Sequence, residues 1–522
     1  MKKYGLVVIA VMVLPCLVLA GGPSQKAIDS ISPDEAKRIV SYLSSDDLKG
    51  RPTPSPELDR AADYIAENLK TYGLLPVNGS YFQLLHIHRT YLGDTNVVKV
   101  VGRDGVAKEL AIKKDFMPFE MTADQRVQGQ VVFVGYGISA PDKLYDDYRD
   151  VDVKGKIVLA LKGAPKENDA NSPFHNKKDA SYGRVSDKVR TAIDHGAIGF
   201  MLVTNPATSG LLKPTGFPWP SLHKGFPADA VPVSVVRKEQ TKVPTIQVGE
   251  EAIRQWFGDV DSLRTIARQI DSLLTPHSFA LTHGQVSIRT STRVVEQLSR
   301  NVTAMWPGTD TKLKEQWVIV GGHYDHVGIR QNTPAGQDSI NNGADDNASG
   351  TAGVMLVARA FAADKKKPKR SVLFLAFAGE EKGLWGSEVY VDQPLVPLEK
   401  TVAMINLDMI GRNRVDSLTI FGKTVSPDLW AMAQKENKHF KIKLSAGELG
   451  SSGGSDHMPF NKKKIPTLFY HTGLHPDYHR PSDQIEKINF GKMAMVSRLC
   501  FRSAWKLANS DFQPAFVETK IK

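Results

Sequence analysis

Residues 317–328 read WVIVGGHYDHVG. Four apolar residues, two glycines and a His-Tyr-Asp-His tail fit a strand buried on both faces that ends at a polar, functional edge. The chain beyond repeats the theme. SGTAGVMLVARAFAA (349–363) reads as a helix, while RSVLFLAFAGEE (370–381), AMINLDMIG (403–411) and IPTLFYHTG (465–473) read as further strands, with helical segments around 426–438 and 489–508. Strands alternating with helices predict an α/β fold, a mixed, mostly parallel sheet flanked by helices. Ligands of such sheets bind beyond the carboxyl ends of the strands. That is where this chain puts His323 and Asp325, Glu380-Glu381, Asp408 and, after the last strand, a histidine-rich run closing at Tyr478-His479.

The residue types point to metal-assisted hydrolysis, because carboxylates and imidazoles drawn from several strand ends can hold two cations about 3.5–4 Å apart. Period-2 alternation aims His323 and Asp325 at one face and His326 at the other, so His323 can bind metal while Asp325 orients its neighbours. In GADDNASG (343–350) Asp345 is the candidate bridge between two cations; the competing reading makes Asp345, Asp346 and Asn347 caps of the next helix. Of Glu380 and Glu381, one can coordinate metal while the other serves as general base toward water. Asp408 sits in an apolar strand, where a carboxylate is costly unless it is paired or binds a cation. His457, His471, His475 and His479 compete for the last ligand position.

The remaining sequence sets the frame. A length of 522 residues predicts two or three packed units, and a composition 41% hydrophobic and 24% charged is that of a globular chain. MKKYGLVVIAVMVLPCLVLA (1–20) combines a basic start, an apolar run and small residues near Ala20, the pattern of a secretory signal peptide, with an uncleaved anchor as the competing reading. Cys16 follows Pro15 inside the apolar run, which argues against a lipoprotein signal. Removing the segment leaves Cys500 alone, so no internal disulfide is expected. The formal charge of +11 is spread over short runs such as Lys177-Lys178, Lys365-Lys366-Lys367 and Lys462-Lys463-Lys464, without interleaved aromatics, which argues against nucleic acid as partner. From Ser32 to Leu74 the pattern gives two amphipathic helices. Between about Gln128 and Val248, runs such as VVFVGYGI, GKIVLALKG and AIGFMLVTN suggest a compact β-rich module, in which His175, His195 and His223 each stand alone and carry no assigned chemistry.

Taken in order, HYDH, GADDNASG, AGEE, NLDMIG and DYHRPSD, between about Gly321 and Asp483, resemble the M28 family of zinc aminopeptidases. The 128–248 module resembles the protease-associated domain inserted in many members, and SSDDLKGR (44–51) is similar to the family's opening segment. The resemblance implies a signal peptide over 1–20, a first part of the peptidase domain over 21–127, an inserted β-rich α/β domain over 128–285 and the catalytic domain over 286–522. It implies two Zn²⁺ ions, one held by His323, Asp345 and Asp408 and the other by Asp345, Glu381 and His479. Glu380 would be the general base and acid, Asp325 the carboxylate that orients them, and Tyr478 a group that helps stabilise the transition state. The Asp345-Asp346 bond would be the cis one, and Gly453–His457 a loop beside the substrate pocket. The implied activity is that of an exported (periplasmic or extracellular) aminopeptidase, free of the membrane after cleavage. It would hydrolyse peptides with a free N-terminus through a hydroxide held between the two ions. Arg412 and Arg414, placed to meet a free carboxylate, keep a carboxypeptidase or dipeptidase as an alternative; a glutaminyl cyclase-like enzyme is another, disfavoured by the intact acidic pairs.

Overall fold

The computed structural model describes residues 22–175, 180–210, 212–214, 219–222, 230–235, 240–447 and 454–518. The segment read as a signal peptide lies outside the described residues, as do Lys177-Lys178, His223 and Gly453. The chain forms two compact units: one contains the described residues up to Leu85 and from Leu298 onward, the other runs His86–Gln297.

After a short helix Gln25–Asp29, the first unit carries two longer capped helices, α1 (Pro33–Leu43) and α2 (Pro56–Thr71). Ser32 and Ser55 each accept a hydrogen bond from a backbone N–H three residues on, and Pro33 and Pro56 occupy first-turn positions where no N–H is needed. The strands follow: β1 (Phe82–Leu92), which continues into the second unit, β2 (Thr292–Trp306), which returns from it, β3 (Trp317–His323), β4 (Ser371–Phe377), β5 (Thr401–Leu407), β6 (Ser417–Phe421), β7 (Lys443–Ala446) and β8 (Thr467–His471). Their order in the sheet is β1-β2-β4-β3-β5-β8-β6-β7. The central strands β4, β3, β5 and β8 run parallel, and β2 and β6 flank them antiparallel. Register places His323 opposite Phe377, and Leu407 opposite Tyr470, so the carboxyl ends of the four parallel strands share one edge. All seven residues of β4 and of β5 are buried, as their unbroken apolar runs require. Helices α3 (Gly350–Ala363) and α4 (Phe490–Asn509) pack on each other, with Phe361 and Phe501 edge to face at 5.2 Å. With α1, α2 and one face of the sheet they enclose a single apolar core that includes buried Cys500, while Ile319, Leu373, Phe377 and Tyr390 centre a second core.

The second unit has its own eight-stranded sheet, ordered Ala107–Leu110, Val97–Val101, Ser278–Thr290, Gln125–Val134, Ile157–Leu161, Gly199–Val203, Thr245–Val248 and Phe116–Pro118. Helices Val185–Asp194, Glu250–Phe257 and Val260–Leu273 cover it. The strands between 97 and 118, grouped with the peptidase part in the sequence reading, belong here. Val98 pairs opposite Ile288, and both are fully buried in this unit's core. A pairing across such a distance in sequence leaves no local signal.

Candidate active site

The strand ends converge as the register demands. His323, the last residue of β3, is buried, and its Nε2 lies 3.5 Å from Asp346 Oδ1, 3.5 Å from Asp408 Oδ1 and 4.0 Å from Glu380 Oε2. Asp408 follows β5 directly. On the other side of Asp346, its Oδ2 lies 3.1 Å from His479 Nε2 and 3.7 Å from His326 Nδ1. Glu381 completes that side, with Oε1 2.8 Å from His326 Nδ1 and Oε2 3.1 Å from His479 Nε2. The residues thus form two groups, His323, Asp346 and Asp408, and His326, Asp346, Glu381 and His479, in each of which the donor atoms lie within 4.8 Å of one another. Asp346 belongs to both, one carboxylate oxygen turned to each.

Asp346, and not the expected Asp345, occupies the shared position. Asp345 faces away: its Oδ1 accepts from Gly411 N (2.7 Å) and Ser349 Oγ (3.0 Å), and its Oδ2 lies 3.3 Å from His475 Nε2. The cis bond is Asp346-Asn347 rather than Asp345-Asp346. Gly343 turns the chain at φ 58°, and Asp483 accepts hydrogen bonds from the backbone N–H groups of both Asp345 and Asp346. The turn is therefore fixed from behind. His326, assigned to the opposite face by strand alternation, joins the group because β3 ends at His323 and the period of two ends with it. His471 instead engages the Asp408 carbonyl through Nδ1 at 2.9 Å, and buried His457 stacks on Phe469 with ring centroids 4.7 Å apart.

The supporting groups are specific. Asp325 is fully buried, with its Oδ1 3.6 Å from His323 Nδ1 and accepting from Glu380 N at 3.1 Å, while its Oδ2 accepts from Thr53 Oγ1 at 3.0 Å. Ser455 Oγ donates to Asp408 Oδ2 at 2.8 Å. Burial raises the Glu380 carboxyl well above the ordinary range; His323 opposes the shift and Asp456, Asp408 and Glu381 add to it. Tyr478, partly exposed, stacks on the His479 ring at 3.8 Å. The arginines proposed to meet a substrate carboxylate are engaged: Arg412 with Asp477 (2.7 Å) and Asp483 (3.6 Å), and Arg414 with Asp416 (3.3 Å).

The donor set fits divalent cations. Five carboxylates crowd three imidazoles, and Asp346 Oδ2 and Asp408 Oδ1 are buried without accepting a hydrogen bond. Buried carboxylates crowded this closely repel one another, a cost that a cation between them would offset. Nitrogen and carboxylate donors suit zinc and its neighbours in the series.

Two donor groups that could each hold a metal ion share one carboxylate, beside a glutamate and at the ends of parallel strands. Residues 301–504 match the model of peptidase family M28, and residues 127–256 match that of the PA domain. A probable leucine aminopeptidase of Arthroderma benhamiae is 31% identical over 217 residues, 40% of this chain and 57% of that protein. Aminopeptidase YwaD of Bacillus subtilis is 28% identical over 216 residues, 39% of this chain and 44% of the relative. The chain thus spans about half the length of these curated relatives. A solved aminopeptidase from Aneurinibacillus sp. strain AM-1 is similar at 20% identity and a TM-score of 0.48, covering 95% of this chain and 97% of that one.

Proposed function

We propose that the protein is an exported metallo-aminopeptidase that removes N-terminal residues from peptides, with two zinc ions as its resident cofactors. The observation that carries the reading is the Asp346 carboxylate, which turns one oxygen to each of two donor groups beside Glu380. His323, Asp346 and Asp408 would hold one ion; Asp346, Glu381 and His479 the other, with His326 at 2.8 Å from Glu381 either joining the second set or orienting Glu381. When bound, zinc polarises the scissile carbonyl and makes water acidic enough to attack at neutral pH.

The chain's own groups do the rest. Glu380 takes the proton of the attacking water at its carboxylate and returns it to the leaving amine, a role suited to a carboxyl whose proton affinity burial has raised. Asp325 anchors the base through the Glu380 N–H and lies behind His323, which keeps both in register. Asp346, Asp408 and Glu381 present negative charge to the free α-ammonium of a substrate. Arg412 and Arg414 are already paired with carboxylates, which favours release of N-terminal over C-terminal residues. The basic and apolar start of the chain supports export.

The test is a panel of free and N-acetylated peptides, assayed with and without chelator and with Glu380→Gln. Free peptides are expected to be cut and acetylated ones spared, with activity lost to chelator and restored by zinc. Glu380→Gln should lower kcat by about 10²–10⁴-fold. Equal cleavage of acetylated peptides, or full rate in Glu380→Gln, would sink the reading.

A further inference from the structure

Arg51 is fully buried, and Asp325, Asp346 and Asp483 act on its charge without hydrogen-bonding to it. Its nitrogens go instead to backbone carbonyls. Nε donates to Tyr324 O at 2.8 Å, Nη1 to Asn342 O at 2.7 Å and also to Leu43 O, and Nη2 to Gly343 O at 3.1 Å. Tyr324 lies between His323 and Asp325; Gly343 lies three residues before Asp346. One rigid, planar donor therefore spans the two loops that supply His323, His326 and Asp346, members of both candidate ligand groups.

The neighbours of Arg51 reinforce the same link. Its own carbonyl accepts from His326 N at 3.1 Å, the Gly50 carbonyl accepts from Gly328 N at 3.2 Å, and Thr53 Oγ1 donates to Asp325. Gly50 (φ 69°) has no room for a side chain, since a Cβ would fall 2.3 Å from Asn341 O and 2.9 Å from Gly328 Cα. Residues 50–53 thus lie flat against both loops. Asn342 Nδ2 returns the contact by donating to Ser44 O and Asp46 Oδ1, both at 2.8 Å. Burial lowers the Arg51 pKa to about 10, opposed by Asp325, Asp346 and Asp483, so the group keeps its charge at neutral pH.

We propose that Arg51 is a positioning residue for the metal centre: by bridging the carbonyls of Tyr324, Asn342 and Gly343 it sets the spacing between the loop of His323 and His326 and the loop of Asp346. The inference rests on the metallopeptidase reading and deepens it. Arg51 touches no reacting atom. It acts through loop geometry, so a lysine that keeps the charge but not the fork cannot replace it.

Zinc affinity of the full-length protein, measured by competition with a chromophoric chelator, tests this for wild type, Arg51→Lys and Thr53→Val, with near-UV circular dichroism of each apoprotein as the check on folding. Outer groups that orient metal ligands are worth about 10–100-fold in affinity. Arg51→Lys is expected to lose that factor, and excess zinc is expected to bring its turnover back toward wild type. Thr53→Val, which removes only the hydroxyl on Asp325 and leaves the Arg51 bonds in place, should weaken zinc binding by a smaller factor. Arg51→Gln, measured in the same way, decides the matter if Arg51→Lys does not fold. Wild-type affinity in whichever Arg51 variant folds overturns the positioning role. A wild type that takes up no zinc overturns the metallopeptidase reading, and the positioning role with it.

Discussion

The two adjacent aspartates at 345 and 346 differ only in where the turn aims them, and substitution should separate them cleanly. Asp346→Asn leaves a neutral amide between two donor groups and is expected to weaken zinc binding by more than about a hundredfold, since even outer groups are worth 10–100-fold. Asp345→Asn keeps an acceptor for Gly411 N and Ser349 Oγ and is expected to retain two zinc ions per chain, measured by elemental analysis of the dialysed protein. Two ions in Asp346→Asn would remove it from the centre. The confusion of the two was built into the sequence. The alternation that set His326 on the far face holds only inside a strand, and His326 lies past one; Asp345 was chosen from its turn and from the resemblance, and a turn does not show in sequence which of two adjacent aspartates it aims at the site. Glu380, Glu381 and Asp408 were legible because each follows a buried apolar run directly. The groups behind them were not legible as parts of the site: Arg51 and Asp483 end the stretches SSDDLKGR and DYHRPSD, but they and Thr53 each reach the site across more than a hundred residues of chain, a contact no local pattern shows.

The elements of the first unit were legible for the reason that makes them intolerant of change. Helix α3 is buried almost all round, so its sequence is apolar but for Thr351 and Arg359, and Gly350 at its start touches β5: a Cβ there would meet Leu407 O at 2.3 Å and Asn347 Oδ1 at 2.1 Å. Gly350→Ala is expected to cost about 1–3 kcal/mol, the usual range for overpacking, read as a lower urea midpoint with an unchanged slope. The short helix His457–Lys462 carries a pH-dependent element. Burial lowers His457 from 6.5 to about 4, with Asp408 opposing. Between those values the unfolded chain binds a proton that the folded one refuses. Stability is therefore full above pH 6.5 and falls as pH drops toward 4, by at most about 3 kcal/mol. Urea unfolding of wild type and His457→Gln at pH 7.5 and 4.5 isolates the effect; the variant should lose less stability on acidification, and an equal loss would leave His457 without a part in it.

At the scale of the whole molecule, each unit encloses its own apolar cores, and both candidate ligand groups lie in the first. The boundary was the least legible feature of the sequence, because strands 97–101 and 278–290 stand on either side of the module that the β-rich runs mark out, and only their mutual pairing assigns them to it. The division makes a thermal prediction. A ligand that binds only the folded state stabilises by about 2.7 kcal/mol at a hundred times its dissociation constant, and each kcal/mol moves Tm by about 2–4 °C in a unit of this size. Zinc should act on the unit that holds it. Scanning calorimetry of the zinc-loaded protein is expected to resolve two transitions, of which chelator lowers one by several degrees and leaves the other in place. The unmoved transition should follow substitutions in the second unit's core, such as Ile288→Ala, and the mobile one those in the first, such as Phe361→Ala. A single transition that shifts as a whole would mean that the two cores unfold as one, and that zinc bound in the first also holds the second.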